Sequence, residues 1–444
     1  MKIAQTFRVE TTRAHGNLAD VLNIVTEMGL VLEHVSTIRR DQERTLWELT
    51  VEMDDAVRAE LLARLDALPT ARFGGWSDRV SDRHRGGKIK MCSRVTISSQ
   101  EILRAIYSSS TARVCPAIRA APERAFDLTY LGRAVGIVTD GSSIANLGNI
   151  GLRAVLPVLE SKAALFARLM GISGIPILVE SASGDHFIEV VCAIAPSFGA
   201  ILLEHIAAPR CFAIEQRLRA RLTLPVLHGD QHATAVVTLA ALLNATRQIG
   251  ATLHDLTVGV VGLGAAGFGI ARLLHVHGVK QLLGNDLRTE AMGRVAHLHV
   301  QRESLAKLLA HADVVICTTG VPGVISPERV HQGQIVFALS TPDPEIDPAA
   351  ALAAGAAVAT DGKIINTALC FPGLFDAALR ARARSFTDSM LVAAANALAS
   401  AADSGQLLPD PLDVSVHKRV SRAVQAAILG TAPAPLTSTS APPS

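Results

Sequence analysis

The chain has 444 residues, which is too long for one hydrophobic core of ordinary size, so we predict two or three domains. Hydrophobic residues make up 49% and charged residues 18% of the sequence, which is typical of a well-packed soluble enzyme and argues against wholesale disorder. The formal net charge of +2 argues against nucleic acid or an anionic membrane as the main partner.

The sequence lacks targeting and disulfide signals. The N-terminus has no apolar run of the kind found in signal peptides, and apolar stretches elsewhere are interrupted before the roughly 20 residues that a membrane span needs. The six cysteines are scattered, without a close pair or the spacing of zinc ligands. We therefore expect a cytoplasmic protein with reduced thiols.

Residues 1–85 are predicted to form a domain of their own. Alternating apolar and polar residues indicate strands at KIAQTFRVET, VLEHVSTIRRD, RTLWELTVEMD and ARFGGWSDRV, and helical periodicity marks LADVLNIVTEM and AVRAELLARLDAL. The order β-α-β-β-α-β is that of a ferredoxin-like sandwich. With the turn HGNL at 15–18, it resembles the ACT domain, which binds small effectors and pairs through its sheet. The fold alone leaves both effector binding and simple dimerisation open.

Two α/β domains follow, at residues 86–235 and 236–400. In the first, strands such as RAVGIVTDG and IPILVES alternate with helices such as AVLPVLESKAALFARLM. In the second, the strands TVGVV, HADVVICTTG, GQIVFALS and AAVATDG predict a parallel sheet with helices on both faces, a Rossmann-type doubly wound fold. Helices at 401–429 close the folded part, and the low-complexity residues 430–444 are predicted to be disordered.

A glycine fingerprint directly follows the strand TVGVV and precedes an apolar helical stretch. Five small residues would form a tight turn that lets a pyrophosphate approach the helix N-terminus: Gly262, Gly264, Ala265, Ala266 and Gly267. The next strand ends in Asp286, nineteen residues beyond Gly267, where a carboxylate accepts hydrogen bonds from the adenine ribose. We therefore predict NAD(P) as cofactor. Asp286 favours NAD because it repels a 2′-phosphate, while the nearby Arg288 leaves NADP open.

Several long blocks, in order, resemble the bacterial NAD(P)-dependent malic enzymes that carry an N-terminal ACT domain. The resemblance runs from about Lys88 to Ser400. The blocks are VTDGSSIANLGNIG at 138–151, VLPVLESKAALF at 155–166, LLEHIAAPRCFAIEQRL at 202–218, LHGDQHATAVVTLAALLNA at 227–245, GLGAAGFGIARLL at 262–274, TPDPEI at 341–346 and FPGLFDAALRARA at 371–383. Such a series of blocks is far more specific than any single motif.

The resemblance implies an oxidative decarboxylase. Enzymes of this family oxidise malate at C2 with NAD(P), lose CO2 from the β-keto acid and protonate the enolate to give pyruvate. Lys162 matches the family's lysine that takes the hydroxyl proton, and partial burial beside a divalent cation makes a lysine usable as a base. Tyr107 matches the tyrosine that gives a proton to the enolate carbon. The plain alternatives are a solvated lysine and a packed aromatic ring.

The resemblance also implies a divalent metal, Mn²⁺ or Mg²⁺, but with altered ligands. Glu204 and Asp230 match ligands of the family, whereas His205 and Gly229 each stand where the family has an aspartate. Mg²⁺ prefers oxygen ligands, and imidazole suits Mn²⁺ better. We therefore expect Glu204 and Asp230 to bind a metal together with His205, with Mn²⁺ favoured. The alternative is that His205 is only a packing replacement.

The residues expected around the substrate depart from the family as well. The family has a Tyr-Thr-Pro-Gly turn, whereas here Tyr107 is followed by three serines. Thr341 stands in place of a family asparagine. Thr367, which follows Asn366, stands in place of the second of two paired asparagines. Threonine is shorter than asparagine and offers one donor where the amide offers two. Because polar contacts can discriminate between substrates by orders of magnitude, we expect a roomier pocket with a changed specificity.

The favoured function is oxidative decarboxylation of a 2-hydroxy diacid, malate or a substituted relative, to a 2-oxo acid such as pyruvate. One alternative is an NAD-dependent dehydrogenase or reductase of a different hydroxy acid, without decarboxylation. Another is a non-catalytic ligand-binding paralogue. We also expect a homodimer or higher homo-oligomer, because the family's members associate and an ACT-like sheet edge invites pairing. A small effector is a further candidate partner at the ACT-like domain.

Overall fold

The computed structural model describes residues 3–13, 17–77, 79–144, 147–181 and 183–431. The chain divides into two compact units, Met1–Lys88 and Ile89–Ser444. None of the helices in the described ranges combines the length and the apolar character that a membrane span requires. Residues 15–16 of the HGNL turn, and residues 432–444 of the tail predicted to be disordered, lie outside the described residues.

The first unit is an antiparallel four-stranded sheet with helices packed on it. Its elements are β1 (Ile3–Thr12), α1 (Asn17–Glu27), β2 (Val31–Arg40), β3 (Arg44–Met53), α2 (Arg58–Asp66), β4 (Ala71–Ser77) and α3 (Arg79–His84). The strand order β2-β3-β1-β4 is the ferredoxin-like arrangement predicted from the sequence, while membership of the ACT family stays a prediction. The predicted last strand is too long, because the charged residues after Ser77 form α3.

The alternating pattern of β3 explains the core of this unit. Leu49, Val51 and Met53 are fully buried and share one face of the strand, because successive side chains point to opposite faces. They join Phe7 of β1 and Leu61 of α2 in one cluster. β2 lies at the edge of the sheet, and its side chains are mostly exposed. The unit thus has a core of its own and an exposed edge strand.

The second unit begins with a loosely packed helical segment. It contains α4 (Gln100–Leu103), π-helical turns at Arg104–Ser108 and Ser110–Val114, α5 (Cys115–Ala120) and α6 (Ala125–Leu128). No residue from 89 to 133 is fully buried. The alternation of strands and helices that we predicted for residues 86–235 therefore begins only at residue 134.

A four-stranded parallel sheet comes next. Its elements are β5 (Ala134–Thr139), α7 (Leu156–Met170), β6 (Ser173–Leu178), α8 (Gly184–Ile194), β7 (Ala200–Leu203), α9 (Arg210–Arg221) and β8 (Val226–His228). The strand order is β6-β5-β7-β8. β5 and β7 are buried at every position, as expected for central strands of a sheet that is covered by helices on both faces.

The long helix α10 (Gly229–Gln248) leads into a six-stranded parallel sheet. The elements of this part are β9 (Thr257–Val261), α11 (Ala265–His277), β10 (Gln281–Asn285), α12 (Thr289–Val295), β11 (Gln301–Arg302), α13 (Leu305–His311), β12 (Val314–Cys317), β13 (Ile335–Ala338), α14 (Pro348–Ala353) and β14 (Val358–Asp361). The order β11-β10-β9-β12-β13-β14 is that of doubly wound dinucleotide-binding folds. The two parallel sheets confirm the predicted α/β fold.

Three helices complete the unit, α15 (Phe371–Arg380), α16 (Asp388–Ala399) and α17 (Val414–Leu429). One core cluster contains Ile137 and Leu202 of the four-stranded sheet together with Val258 and Ile316 of the six-stranded sheet, and most of α10 is buried in it. The domain boundary predicted between residues 235 and 236 falls inside α10. It therefore does not correspond to a break in the packing.

Candidate active site

The carboxyl ends of β7 and β8 bring three candidate metal ligands together. Glu204 and His205 follow β7, and Asp230 stands in the first turn of α10, directly after β8. Because the two strands are parallel neighbours, their carboxyl ends lie side by side. One ligand atom from each residue lies within 4.8 Å of the other two, and the described residues contain no second group of this kind.

Glu204 is a fully buried carboxylate with a cation beside it. Nζ of Lys162, on α7, lies 3.0 Å from Oε1 of Glu204. The Lys162 side chain is 14% exposed, and its ammonium group lies 5.1 Å from the centre of the Phe371 ring. A buried charge without a partner is costly, so each side chain stabilises the charge of the other. The residue predicted to be the base therefore lies against a residue predicted to bind the metal.

Asp230 is the more open of the two carboxylates. Its side chain is 34% exposed, and Oδ2 accepts a hydrogen bond of 3.1 Å from the backbone N–H of His205. Burial raises the pKa of Asp230, but the nearby His205 and His228 outweigh it, and Lys162 acts in the same direction. The net effect lowers the pKa, so Asp230 is ionised at neutral pH and available as an oxygen ligand.

His205 has a left-handed backbone conformation, with φ 55°. Its carbonyl group accepts a hydrogen bond of 3.1 Å from the N–H of Ser143, which ties it to the loop after β5. Nε2 of the ring lies 4.0 Å from Oε2 of Glu204, and Nδ1 lies 4.0 Å from Oδ1 of Asp230. The imidazole is therefore placed between the two carboxylates, in reach of the same cation.

The donor set fits a divalent cation. Both carboxylate oxygens of Glu204 and Nε2 of His205 are buried and make no hydrogen bond within the described part of the chain, and the contact with Lys162 is an ion pair. Buried polar atoms of this kind usually have a partner. Two carboxylates and one imidazole form a ligand set that suits Mn²⁺.

Gly229 provides the space that the Glu204 carboxylate occupies. A Cβ atom at position 229 would lie 2.1 Å from Oε1 and 2.8 Å from Cδ of Glu204. Any side chain at this position would therefore require Glu204 to move. An aspartate at position 229, as in the family pattern, is therefore incompatible with the present placement of Glu204.

The glycine fingerprint forms the turn between β9 and α11. Gly262 has φ 84°, and a Cβ atom there would lie 2.8 Å from the carbonyl oxygen of Thr318. A Cβ atom at Gly267 would lie 1.8 Å from the carbonyl oxygen of Gly262, so α11 packs directly on the turn. At Gly264 a Cβ atom would make only an ordinary van der Waals contact, 3.9 Å from the Arg288 guanidinium. The backbone at the N-terminus of α11 is therefore not crowded there, and helix N-termini of this kind bind phosphate through their N–H groups.

Asp286 supports this turn from the end of β10. Its Oδ2 accepts a hydrogen bond of 2.7 Å from the N–H of Leu263, and its Oδ1 accepts one of 2.8 Å from the N–H of Arg288. The Arg288 guanidinium is the group nearest to the Cβ position of Gly264, at 3.9 Å. A carboxylate and a guanidinium therefore lie side by side at the turn.

The fingerprint turn and the cluster of candidate metal ligands lie close together in the fold. Ala265, the first residue of α11, packs against the hydrophobic cluster that contains Ile206, directly after the metal-ligand loop. A Cβ atom at Gly269 in α11 would lie 2.3 Å from the carbonyl oxygen of Gln231 in the first turn of α10. The helix that would bind the pyrophosphate and the helix that carries Asp230 are therefore in backbone contact.

The three residues expected to contact the substrate lie on loops after β13 and β14, which are parallel neighbours. The methyl group of Thr341 lies against Gly362, where a Cβ atom would be 2.6 Å away. Asn366 is exposed, and its side-chain oxygen accepts a hydrogen bond of 2.9 Å from the N–H of Ala368, so it caps a short helical turn that begins at Thr367. Their role in substrate binding stays a prediction.

Within the described residues, Tyr107 has no hydrogen bond, ion pair or ring contact with this cluster. It lies in the π-helical turn Arg104–Ser108, and 79% of the residue is exposed. Lys162 and Glu204, by contrast, are largely buried. Within one chain the cluster therefore contains one of the two predicted proton-transfer residues, and the role of Tyr107 stays a prediction.

One carboxylate that sequence reasoning missed is Glu345, in the TPDPEI block. It is fully buried, and it accepts hydrogen bonds of 2.6 to 3.1 Å from the N–H and hydroxyl groups of Thr319 and Ser340. It thereby joins the loops after β12 and β13. The only sequence signal was an acidic residue placed directly before an apolar one in a proline-rich turn.

A second carboxylate that sequence reasoning missed is Glu215, on α9. Its Oε1 accepts a hydrogen bond of 3.1 Å from the N–H of His228 and lies 2.8 Å from Nε2 of His232. Its Oε2 accepts a hydrogen bond of 3.1 Å from Nε2 of Gln231. Burial raises the pKa of Glu215, but His232 and the hydrogen bonds outweigh it and lower the pKa to about 2. Glu215 is therefore a buried, ionised anchor beneath the first turn of α10.

Comparison with known proteins identifies the family. Residues 86–184 match the malic enzyme N-terminal domain, and residues 230–322 match the NAD binding domain of the D-isomer specific 2-hydroxyacid dehydrogenases. The chain is 44% identical, over 96% of its length and 98% of the relative's, to NAD-dependent malic enzyme 1 of Bacillus subtilis (strain 168). The chain belongs to the malic enzyme family.

Other relatives agree with this assignment. The NAD-dependent malic enzyme of Geobacillus stearothermophilus is 34% identical over 94% of this chain and 93% of its own. The crystal structure of the malic enzyme from Pyrococcus horikoshii Ot3 superposes with a TM-score of 0.73 at 39% identity, covering 78% of this chain and 87% of that one. The predicted family is confirmed, and the protein is an NAD(P)-dependent oxidoreductase of the decarboxylating malic-enzyme type.

Proposed function

We propose that this malic enzyme oxidises malate, or a substituted 2-hydroxy diacid, at C2 with NAD, and decarboxylates the product to a 2-oxo acid such as pyruvate. The proposal rests on the group of Lys162, Glu204, His205 and Asp230 beside the nucleotide turn, in which Glu204 is fully buried and Asp230 partly exposed. The name of the relative that is 44% identical, an NAD-dependent malic enzyme, supports the same chemistry.

Glu204, His205 and Asp230 are proposed to hold the divalent metal, with Mn²⁺ preferred over Mg²⁺ because one ligand is an imidazole. When bound, the metal supplies Lewis-acid polarisation of the C2 oxygen and NAD supplies a hydride acceptor. Lys162 is proposed to take the proton of the C2 hydroxyl group. In the structure its ammonium group pairs with Glu204; with that carboxylate engaged as a metal ligand, the amine would lose a proton to solvent and could then act as the base.

Tyr107 is proposed to donate the proton to the enolate carbon, within a homodimer. The segment 89–133, which carries Tyr107, exposes several large apolar side chains, including Met91 at 96% and Ile97 at 55%. Exposed apolar groups that follow one another in this way are typical of protein interfaces. A second copy that covers this segment would bury the segment and bring Tyr107 into a closed site.

The first unit is proposed to bind a small effector or to pair with a second copy through its sheet. Its edge strand β2 is ten residues long, with mostly exposed side chains. A long edge strand with unpaired backbone groups favours pairing with another strand.

NAD is proposed as the preferred coenzyme. Asp286 stands at the position where a carboxylate contacts the adenine ribose and repels a 2′-phosphate. The names of the Bacillus and Geobacillus relatives support NAD. Arg288 lies beside the same turn and offers a positive charge to the 2′-phosphate of NADP. NADP is therefore proposed to bind as well, but more weakly than NAD.

The substrate is proposed to contact Thr341, Asn366 and Thr367. Two of these positions have a threonine in place of the family's asparagine, so the pocket offers fewer amide donors. A diacid with an additional substituent is therefore a candidate beside malate.

The test is to follow NADH absorbance and CO2 release together for malate and other 2-hydroxy diacids, with Mn²⁺ or Mg²⁺. We expect equal amounts of NADH and CO2 with at least one diacid, and higher activity with Mn²⁺. NADH without CO2 would assign a dehydrogenase that does not decarboxylate. Coenzyme binding without turnover would assign a ligand-binding paralogue. Either of these results would overturn the proposal.

A further inference from the structure

The first turn of α10 is fixed by one buried side chain from a neighbouring helix. Glu215, on α9, is 6% exposed and accepts hydrogen bonds from three donors: the His228 N–H, Nε2 of Gln231 and Nε2 of His232. Each bond is between 2.8 and 3.1 Å long. These donors lie on both sides of Asp230 in the sequence. The three bonds therefore determine where the backbone of Asp230 lies.

The same helix α9 also follows the loop that carries the other two metal ligands. It begins at Arg210, five residues after His205. Glu215 thus connects the segment after β7, which carries Glu204 and His205, with the segment after β8, which carries Asp230. Beyond the contacts within the cluster itself, Glu215 is a direct polar link between these two segments.

We propose that Glu215 is a positioning residue of the metal site, which sets the distance of Asp230 from Glu204 and His205. The inference rests on the proposed function, because it takes those three residues as the ligands. Groups that hold metal ligands in place typically change metal affinity by about 10- to 100-fold when they are replaced. The carboxylate of Glu215 holds a ligand through the backbone and the neighbouring side chains, without touching the cation.

The experiment compares Mn²⁺ binding by wild-type protein, Glu215→Gln and a matched control, without coenzyme or substrate, using electron paramagnetic resonance of free Mn²⁺. Glutamine keeps the shape of the side chain but turns an NH2 group toward N–H donors. The control is Glu189→Gln on α8, whose carboxylate bonds Arg221 of the same helix α9 at 3.1 Å but is 62% exposed. We expect the Mn²⁺ dissociation constant to rise at least about 10-fold in E215Q and to stay within about twofold in E189Q.

A second variant, Gln231→Met, removes the donor to Oε2 and keeps the carboxylate, so the test remains decisive if E215Q does not fold. We expect its Mn²⁺ affinity to fall by about three- to tenfold, with circular dichroism and NAD affinity close to wild type. Unchanged Mn²⁺ affinity in Q231M, or in folded E215Q, would overturn the inference and leave the proposed function intact. A wild-type protein that binds no Mn²⁺ would overturn the inference and the metal site together.

Discussion

Replacing Gly229 by alanine should damage the proposed metal site by displacing the Glu204 carboxylate. The added Cβ atom would lie 2.1 Å from Oε1 and 2.8 Å from Cδ of Glu204, well inside the roughly 3.5 Å at which non-bonded heavy atoms touch. Because Glu204 is fully buried, it can move away only by giving up its 3.0 Å contact with Lys162. Breaking a buried ion pair costs about 3–5 kcal/mol, and we expect a loss of unfolding free energy near the lower end of that range.

Urea unfolding, Mn²⁺ titration and initial rates of NADH formation would measure the effect. We expect the Mn²⁺ affinity of G229A to fall by about 10- to 100-fold, with activity falling at least as much. The control is Gly293→Ala on α12, where a Cβ atom would meet nothing within 4 Å, so stability should stay equal or rise by about 0.5–1 kcal/mol. If G229A kept the stability and metal affinity of the wild type, Glu204 would not be displaced by the added Cβ atom, and its placement against Gly229 would not matter for the site.

Three further predictions follow from the same geometry. Lys162→Met should lower kcat by about 10²–10⁴-fold, the usual contribution of a general base, and should destabilise the fold in urea because Glu204 loses its counter-charge; wild-type rates would contradict this. Arg288→Ala should lower kcat/KM with NADP about tenfold relative to NAD, since a 2′-phosphate loses a charged donor; an unchanged ratio would exclude that role. The folded-state pKa of Glu215 is lowered to about 2 from 4.5, so its contribution is present above about pH 5 and is lost as the pH falls toward 2. The stability difference between wild type and E215Q, roughly 3 kcal/mol at pH 7, should therefore shrink in urea unfolding at pH 3, and a constant difference would argue against it.

The nucleotide half of the site could be predicted because its signals are local. The strand β9, the fingerprint turn and the start of α11 are consecutive in the chain, and Asp286 lies one strand further on. Connections between parallel strands through a helix are nearly always right-handed, so the alternation of strands and helices in the sequence was enough to predict the parallel sheet. Glu204 and Asp230 each stand at the end of a buried strand, and the adjacency of β7 and β8 brings them together.

The remaining features depend on contacts between distant segments. In the sequence, Gly229 is noticeable only because the family has an aspartate there. In the structure, the absence of a side chain at Gly229 leaves the space that the Glu204 carboxylate fills. Glu215 looks like any acidic residue on a helix until α9 is packed against α10. The segment around Tyr107 has no clear periodic pattern, and its exposed apolar side chains become informative only once the rest of the unit is folded.

The left-handed backbone conformation at position 205, with φ 55°, restricts which residues can occupy that position without strain. Glycine, asparagine, aspartate and histidine tolerate this conformation, whereas β-branched side chains do not. Two of the four are good metal ligands, one through oxygen and one through nitrogen. A single-nucleotide change between aspartate and histidine can therefore exchange a hard donor for a softer one on an unmoved loop, and so change which cation the proposed metal site prefers.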